Sequence, residues 1–129
     1  FTTEAGLMER LYHLIRQPIE LKAGREFSPE SLKVEGFVHL CLEGQIGWVA
    51  NTFMGDAGVL WLMELDPELL GAKVRFEDVG ADGRFPHLDG PIPHEAVLRQ
   101  MPLARDAGLK WAPPPQMGLA LVEPFKKLP

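Results

Sequence analysis

The sequence is poor in cysteine and in basic residues, and it has no long hydrophobic run. Cys41 is its single cysteine, so no disulfide can form within the chain, which is typical of a reducing compartment. The 13 Lys and Arg residues and 18 Asp and Glu residues give a net charge of -5, which argues against DNA binding through a general basic field. No apolar run approaches the ~20 residues of a membrane span, and the first residues lack a signal-peptide pattern. We therefore expect a cytoplasmic protein that binds neither DNA nor a membrane.

Proline, by contrast, is frequent, and most of the 12 prolines lie at or beyond Pro86. Proline fixes its own backbone and restrains the residue before it, which favours extended and turn conformations over helix. A chain of 129 residues fits one domain. We therefore predict a single α+β domain over residues 1–113, with more strand than helix, and a proline-rich C-terminal extension over residues 114–129.

Hydrophobic periodicity and helix-end signals predict the order of the elements. Buried strands are expected at residues 10–16, 36–42 and 59–65, a half-exposed strand at 73–79, a last strand at 96–103, a short helical turn at 28–36 and the main helix at 43–55. Ser28 is the expected N-cap of the short helical turn, and Gly36 is its expected end. Gly55 is expected to supply a left-handed cap to the main helix, and Asp66 to cap a turn after the third strand.

Two histidines interrupt predicted buried strands. His13 shares a strand face with Leu11 and Ile15, and His39 shares one with Phe37 and Cys41. An unpaired buried polar group costs ~1–3 kcal/mol, so each imidazole needs a hydrogen-bond partner. Taken alone, either histidine is consistent with a core residue whose ring has found its hydrogen-bond partners. If the two strands are neighbours, both rings line one cleft, which would suit recognition of hydroxyls, phosphates or a flat ring.

The stretch RFPHLDGPIPHE, residues 84–95, is either a stiff surface turn or the rim of a site. His87, Asp89 and His94 lie within it, but their spacing matches no metal pattern, and we expect no metal. Arg75 and Glu77 share one face of the half-exposed strand. They form either a solvated ion pair or a phosphate anchor beside a carboxylate that polarises a hydroxyl.

Four pieces in a fixed order resemble one known family. They are YHL (residues 12–14), SLKVEGFVH (31–39), LMELDPELL followed by VRFE (74–77), and FPHLDGPIP (85–93). Together they resemble the small bacterial family named domain of unknown function 952, over residues 10–113. The fold of that family is similar to the ADP-ribosyltransferase fold, in which two small, mostly antiparallel sheets surround a cleft that holds NAD.

The resemblance implies a nucleotide-type ligand, with NAD or ADP-ribose as the expected cofactor and ribosyl or 2′-phosphate transfer as the expected reaction class. It implies that His13 contacts a ribose and His39 shapes the nicotinamide side of the pocket. A histidine at both places is similar to the branch that includes the RNA 2′-phosphotransferases. Candidate ligand-binding residues are His13, Ser31, His39, Arg75, His87 and Asp89, with FPHLDGPIP as the pocket rim and His87 facing in; the candidate catalytic carboxylates are Glu77 and Glu95.

Three positions depart from the family pattern, at Ile15, at Leu40 with Cys41, and at Asp89. A non-catalytic ligand-binding or partner-binding domain is therefore the alternative function. Oligomeric state is left open by the sequence.

Overall fold

A computed structural model describes residues 10–78 and 83–114, which form ten strands and two α-helices. In chain order they are β1 (Leu11–Ile15), β2 (Glu26–Phe27), α1 (Glu30–Glu35), β3 (Val38–His39), α2 (Ile46–Phe53), β4 (Trp61–Leu65), β5 (Val74–Asp78), β6 (Arg84–Leu88), β7 (Ile92–Pro93), β8 (Val97–Pro102), β9 (Ala104–Arg105) and β10 (Trp111–Ala112). Every strand pairing is antiparallel. The fold is therefore mixed α+β, with several small antiparallel sheets and one main helix, as the sequence predicts.

The first three-stranded sheet has the order β1-β4-β8 and separates two hydrophobic clusters. Successive side chains of a strand point to opposite faces. Leu11 and Met63 accordingly belong to one cluster, whereas Tyr12 and Leu62 belong to the other. All four side chains are fully buried, because the sheet has a covered face on each side. This explains why strands β1 and β4 read as nearly continuous apolar runs in the sequence.

The second three-stranded sheet has the order β3-β6-β5 and corrects two predictions. The stretch expected to be a turn or rim begins as β6, the central strand of this sheet, although it contains Pro86. The carbonyl of Pro86 accepts a hydrogen bond from the amide of Leu40 at 3.0 Å. An extended residue directs its amide and carbonyl to the same neighbouring strand, so the N–H that proline lacks would also point towards Leu40. The strand predicted at 36–42 is therefore limited to Val38–His39.

Helix α1 begins one residue later than predicted. Its N-cap is Pro29 in an extended conformation, not Ser28, and no side chain caps it. Gly36 ends the helix at a φ of 89°, as the sequence predicts, because glycine occupies the left-handed region without steric cost. The immediate reversal at Gly36 leads the chain directly into β3.

Helix α2 is preceded by a 3-10 turn at Glu43–Gln45, and the two together match the predicted main helix. The prediction of a left-handed Gly55 cap was wrong, because Gly55 does not have a positive φ; the helix ends at Phe53, and Met54 follows it with a φ of -132°. The side chain of Asn51 bonds both the amide and the carbonyl of Trp111, at 2.8 and 2.9 Å. This pair of bonds holds the short hairpin β9–β10, which the sequence did not predict, against α2.

Asp66 caps the 3-10 turn after β4, as predicted, because its side chain accepts a bond from the amide of Glu68. Within residues 10–78 and 83–114, no helix combines the length and apolar character needed to cross a bilayer. Most of the predicted C-terminal extension, residues 115–129, lies outside the described residues, so its division from the domain stays a prediction.

Candidate functional site

A cleft of about 580 Å³ opens where the two three-stranded sheets are joined. The junction is a pair of backbone bonds between Tyr12 and Cys41, at 2.9 and 2.8 Å. The described residues that line the cleft come from β1, α1, the segment around β3, α2 and β6: Tyr12, His13, Leu14, Ser31, Glu35, His39, Leu40, Cys41, Trp48, Val49, Phe53, Met54, Phe85 and His87. The cleft therefore brings together the predicted ligand-binding residues His13, Ser31, His39 and His87.

His13 is held by the main chain of β3, a strand of the second sheet. Its Nδ1 lies 2.8 Å from the carbonyl oxygen of His39. A carbonyl can only accept, so Nδ1 carries the proton and donates. Burial lowers the pKa of His13 to about 4, and the bond to His39 offsets only part of this effect. The ring is therefore neutral at pH 7.

His39 is more accessible, and it pairs with a carboxylate that the sequence analysis missed. Glu35 is the last residue of α1, four residues before His39, and its Oε2 lies 3.0 Å from Nε2 of His39. Each side chain remains about half exposed, at 47% and 53%. The i, i+4 spacing of glutamate and histidine across Gly36 was the available signal, because the glycine bends the chain so that both side chains reach the cleft.

His87 lies in the centre of the second sheet, with His39 and Arg75 as its cross-strand neighbours. Its ring stacks on Phe37, with the centroids 4.1 Å apart and the planes 15° apart. The ring of His39 approaches it edge-on at 5.4 Å. Burial lowers the pKa of His87, and the nearby His39 and Arg75 lower it further. Its Nδ1 is buried without a hydrogen-bond partner, which is an unusual state for a polar atom in a folded protein.

Part of the cleft wall is aromatic. Trp48 and Phe53 project from α2, and Phe85 projects from β6. The Trp48 ring lies 5.4 Å from Phe85 at a tilt of 32°, and 5.6 Å from Phe53 in an edge-on contact. Trp48 is 37% exposed and Phe53 is 64% exposed, so neither ring is a core residue. A flat, partly apolar group would find both stacking partners and shelter from water here.

Three other predicted residues form an ion cluster that does not line the cleft. Arg75 donates from Nε to both oxygens of Asp89, at 3.0 Å each, and from Nη1 to Glu77. The structure therefore places Glu77 beside Arg75 on the sheet face that also carries His87. Arg75 also lies over the ring of Phe37, 5.4 Å from its centroid. Its charge is balanced by two carboxylates, so it is poorly placed to attract a phosphate.

Glu95 lies apart from the cleft-lining residues, in a 3-10 turn at His94–Ala96. Its carboxylate accepts a bond from the amide of Gly24 at 2.6 Å, and this bond lowers the pKa of Glu95. The neighbouring His94 bonds the amide of Lys22 through Nδ1. Both side chains therefore anchor the loop before β2.

Neither a thiolate nor a metal site is evident in the part of the chain that the structure describes. Burial raises the pKa of Cys41 to about 12, so its thiol stays protonated at neutral pH. Within residues 10–78 and 83–114, no three side chains of histidine, cysteine, aspartate or glutamate lie close enough to share a metal ion.

Together, these features define a small α+β protein with one histidine-lined and aromatic-walled cleft. The family model described as "Protein of unknown function (DUF952)" matches residues 16–100, and the chain therefore belongs to this family. The match confirms the resemblance drawn from the sequence, and it includes the motifs at 31–39, 74–77 and 85–93.

Two solved structures are similar to this chain. Protein CC0527 from Caulobacter crescentus is 26% identical, with a TM-score of 0.59, and the alignment covers 80% of this chain and 93% of that one. A double mutant of the same Caulobacter protein is 25% identical, with a TM-score of 0.58 and the same coverage. No curated protein gives a significant match to the sequence.

Proposed function

We propose that this protein binds a nucleotide-type ligand such as NAD or ADP-ribose, and that the ring and ribose of the ligand enter the cleft. The observation that carries this proposal is the convergence of His13, His39 and His87, from three different strands, on one cleft with an aromatic wall. Stacking surfaces combined with a few convergent polar groups are typical of sites for flat, hydroxylated small molecules.

The volume of the cleft favours partial entry of such a ligand. About 580 Å³ falls in the range of small-molecule pockets. Trp48 and Phe85 would contact a heterocycle, while His13 and His39 would contact ribose hydroxyls. We further propose that the two three-stranded sheets correspond to the two sheets of the ADP-ribosyltransferase fold, with the cleft in the place where those enzymes hold NAD.

Transfer of a ribosyl group or a 2′-phosphate is the catalytic form of this proposal. It would require a carboxylate or a cation at the reacting ribose to stabilise the developing charge. The expected carboxylates are engaged elsewhere, because Glu77 bonds Arg75 and Glu95 bonds Gly24. This arrangement favours the alternative of a non-catalytic domain that binds a ligand, or a partner, at the exposed aromatic wall of the cleft.

The proposal is tested by thermal unfolding of wild type, His39→Ala and His94→Ala in the presence of NAD, ADP-ribose or a 2′-phosphorylated nucleotide. A ligand at about 100 times its dissociation constant adds about 2.7 kcal/mol to the free energy of unfolding. We expect at least one ligand to raise the melting temperature of wild type and of His94→Ala, whose side chain lies outside the cleft, but not that of His39→Ala. Unchanged melting temperatures with all three ligands would refute a nucleotide site.

A further inference from the structure

The hydrogen-bond partner of His13 fixes which of its ring nitrogens carries the proton. His13 donates from Nδ1 to a carbonyl, so in its neutral ring Nε2 has a lone pair and can only accept. Among the described residues Nε2 has no hydrogen-bond partner, and the His13 side chain lines the cleft. His13 therefore offers an acceptor, rather than a donor, to a ligand at neutral pH.

Glu35 presents a second acceptor. An ionised carboxylate can only accept, so Nε2 of His39 carries a proton and donates it to Oε2 of Glu35. Glu35 uses Oε2 for this bond, and its carboxylate keeps further acceptor capacity on the side chain that lines the cleft. Nε2 of His13 and the carboxylate of Glu35 thus present lone pairs to the cleft.

Lysine and arginine are absent from the same place. Among the described residues that line the cleft there is no lysine or arginine, and Glu35 is the one acidic residue. Arg75, on β5, is paired with Asp89 and Glu77. A phosphate offers acceptors and negative charge, so it would meet the lone pair of His13 and the carboxylate of Glu35 without a lysine or arginine to compensate them.

We infer that Glu35 is a ligand-binding residue and that the cleft recognises a neutral or cationic ligand through hydrogen-bond donors, such as a vicinal diol, an amine or a carboxamide NH₂, while excluding phosphate groups. This inference rests on the proposed function and specifies which part of the ligand enters. A nucleoside portion stacks on the aromatic wall and donates hydrogen bonds from its hydroxyls to Glu35 and to Nε2 of His13. Any phosphates remain outside the cleft.

The test measures dissociation constants by calorimetry for adenosine, its 5′-monophosphate, 2′,3′-dideoxyadenosine and the cationic nicotinamide riboside. The proteins are wild type, Glu35→Ala, Glu35→Gln and the matched control Glu30→Ala, whose carboxylate lies at the exposed start of the same helix. Glu35→Gln preserves side-chain size and an acceptor for His39, so it separates loss of charge from loss of structure. Circular dichroism confirms that each variant is folded.

We expect wild type to bind at least one of the two nucleosides, and adenosine at least as tightly as its 5′-monophosphate where it binds. Loss of a hydrogen bond to a charged acceptor should weaken binding roughly tenfold in Glu35→Ala, and loss of the ribose hydroxyls should do so for 2′,3′-dideoxyadenosine. Glu30→Ala should match wild type. Glu35→Gln should weaken nicotinamide riboside more than adenosine, because only the former carries a positive charge.

Three results would overturn the inference while leaving a nucleotide site intact. The first is binding of the 5′-monophosphate tenfold tighter than adenosine, and the second is unchanged affinity in Glu35→Ala. The third is binding of NAD or ADP-ribose without binding of either nucleoside. If no nucleoside or nucleotide binds wild type, both fail.

Discussion

The Nδ1–H of His13 donates a 2.8 Å hydrogen bond to the carbonyl oxygen of His39. This bond reaches from β1, an edge strand of the first sheet, to β3, an edge strand of the second. It fixes the orientation of a buried ring that would otherwise lack a polar partner. Because the ring is buried, protonating it has a cost, and that cost should be visible in the stability of the protein.

Stability should fall on acidification through His13. Its pKa is about 4 in the folded state and near the ordinary 6.5 in the unfolded chain, so between these values the unfolded state binds more protons. The contribution of neutral His13 to the free energy of unfolding is fully present above pH 6.5. It is lost as pH falls towards 4, and it totals about 3 kcal/mol. Urea unfolding at several pH values should show that the free energy of unfolding changes more steeply with pH in wild type than in His13→Gln. The same dependence on pH in both proteins would show that the folded pKa of His13 is not depressed.

Replacing His87 by phenylalanine should separate stability from binding. The buried Nδ1 of His87 has no partner, and an apolar ring of similar shape removes this cost while keeping the stack on Phe37. We expect His87→Phe to be neutral or to raise the free energy of unfolding by about 1 kcal/mol, and to weaken ligand binding. Chemical denaturation and ligand titration measure the two effects. His87→Ala is the control and should destabilise, because it also removes the stack.

A partly buried ion pair joins β4 and β8 in the first sheet. Glu64 is 4% exposed, and it accepts a bond from Nε of Arg99 and a 3.4 Å bond from the hydroxyl of Tyr12. Burial, with the charge of Glu64, raises the pKa of the Tyr12 hydroxyl above its usual value. Arg99→Ala should cost about 3 kcal/mol because it leaves the buried carboxylate without a counter-ion, with the Tyr12 hydroxyl as its remaining partner.

The double variant Glu64→Leu with Arg99→Met should recover most of that loss, since two apolar side chains remove both the charges and the cost of burying them. Denaturant unfolding of the single and double variants gives the comparison. A double variant that is less stable than Arg99→Ala would mean that this ion pair itself contributes net stability.

Gly90 is restricted by close packing rather than by an unusual backbone angle. A Cβ atom at this position would lie 2.6 Å from the Cβ of Ala72, which is too close for two carbon atoms. We expect Gly90→Ala to destabilise by about 1–3 kcal/mol. Adding Ala72→Gly should reverse most of this effect, although the second glycine has a small entropic cost. Additive losses in the double variant would refute the clash.

The elements of this fold that follow simple periodicity were predictable. Strands β1, β4 and β5 and helix α2 lie close to their expected positions. The apolar runs of β1 and β4, the alternation of β5 and the apolar stripe of α2 each follow from which side chains are buried locally. Strand β6 was not predictable in the same way. Proline is normally absent from central strands, and β6 tolerates Pro86 because its missing N–H points beyond the end of β3.

The site was predictable only in part. His13 and His39 were predicted because each interrupts an apolar strand and needs a hydrogen-bond partner there. His87 was predicted as the residue of the pocket rim that faces in, which the family resemblance implies. Glu35 was missed because its reach into the cleft depends on the left-handed turn at Gly36, a three-dimensional effect. The ion pair of Arg75 with Glu77 was one of two alternatives given by the sequence, whereas the bond of Arg75 to Asp89 could not be predicted, since Asp89 lies on a different segment.

The bond that joins the two sheets at His13 ends on the main chain of residue 39, and every amino acid offers that carbonyl. The side chain at position 39 therefore takes no part in this bond between the sheets. Substitutions there can alter which molecules the cleft accepts without loosening the scaffold, so this position is a natural point for recognition to diverge among proteins that share the fold.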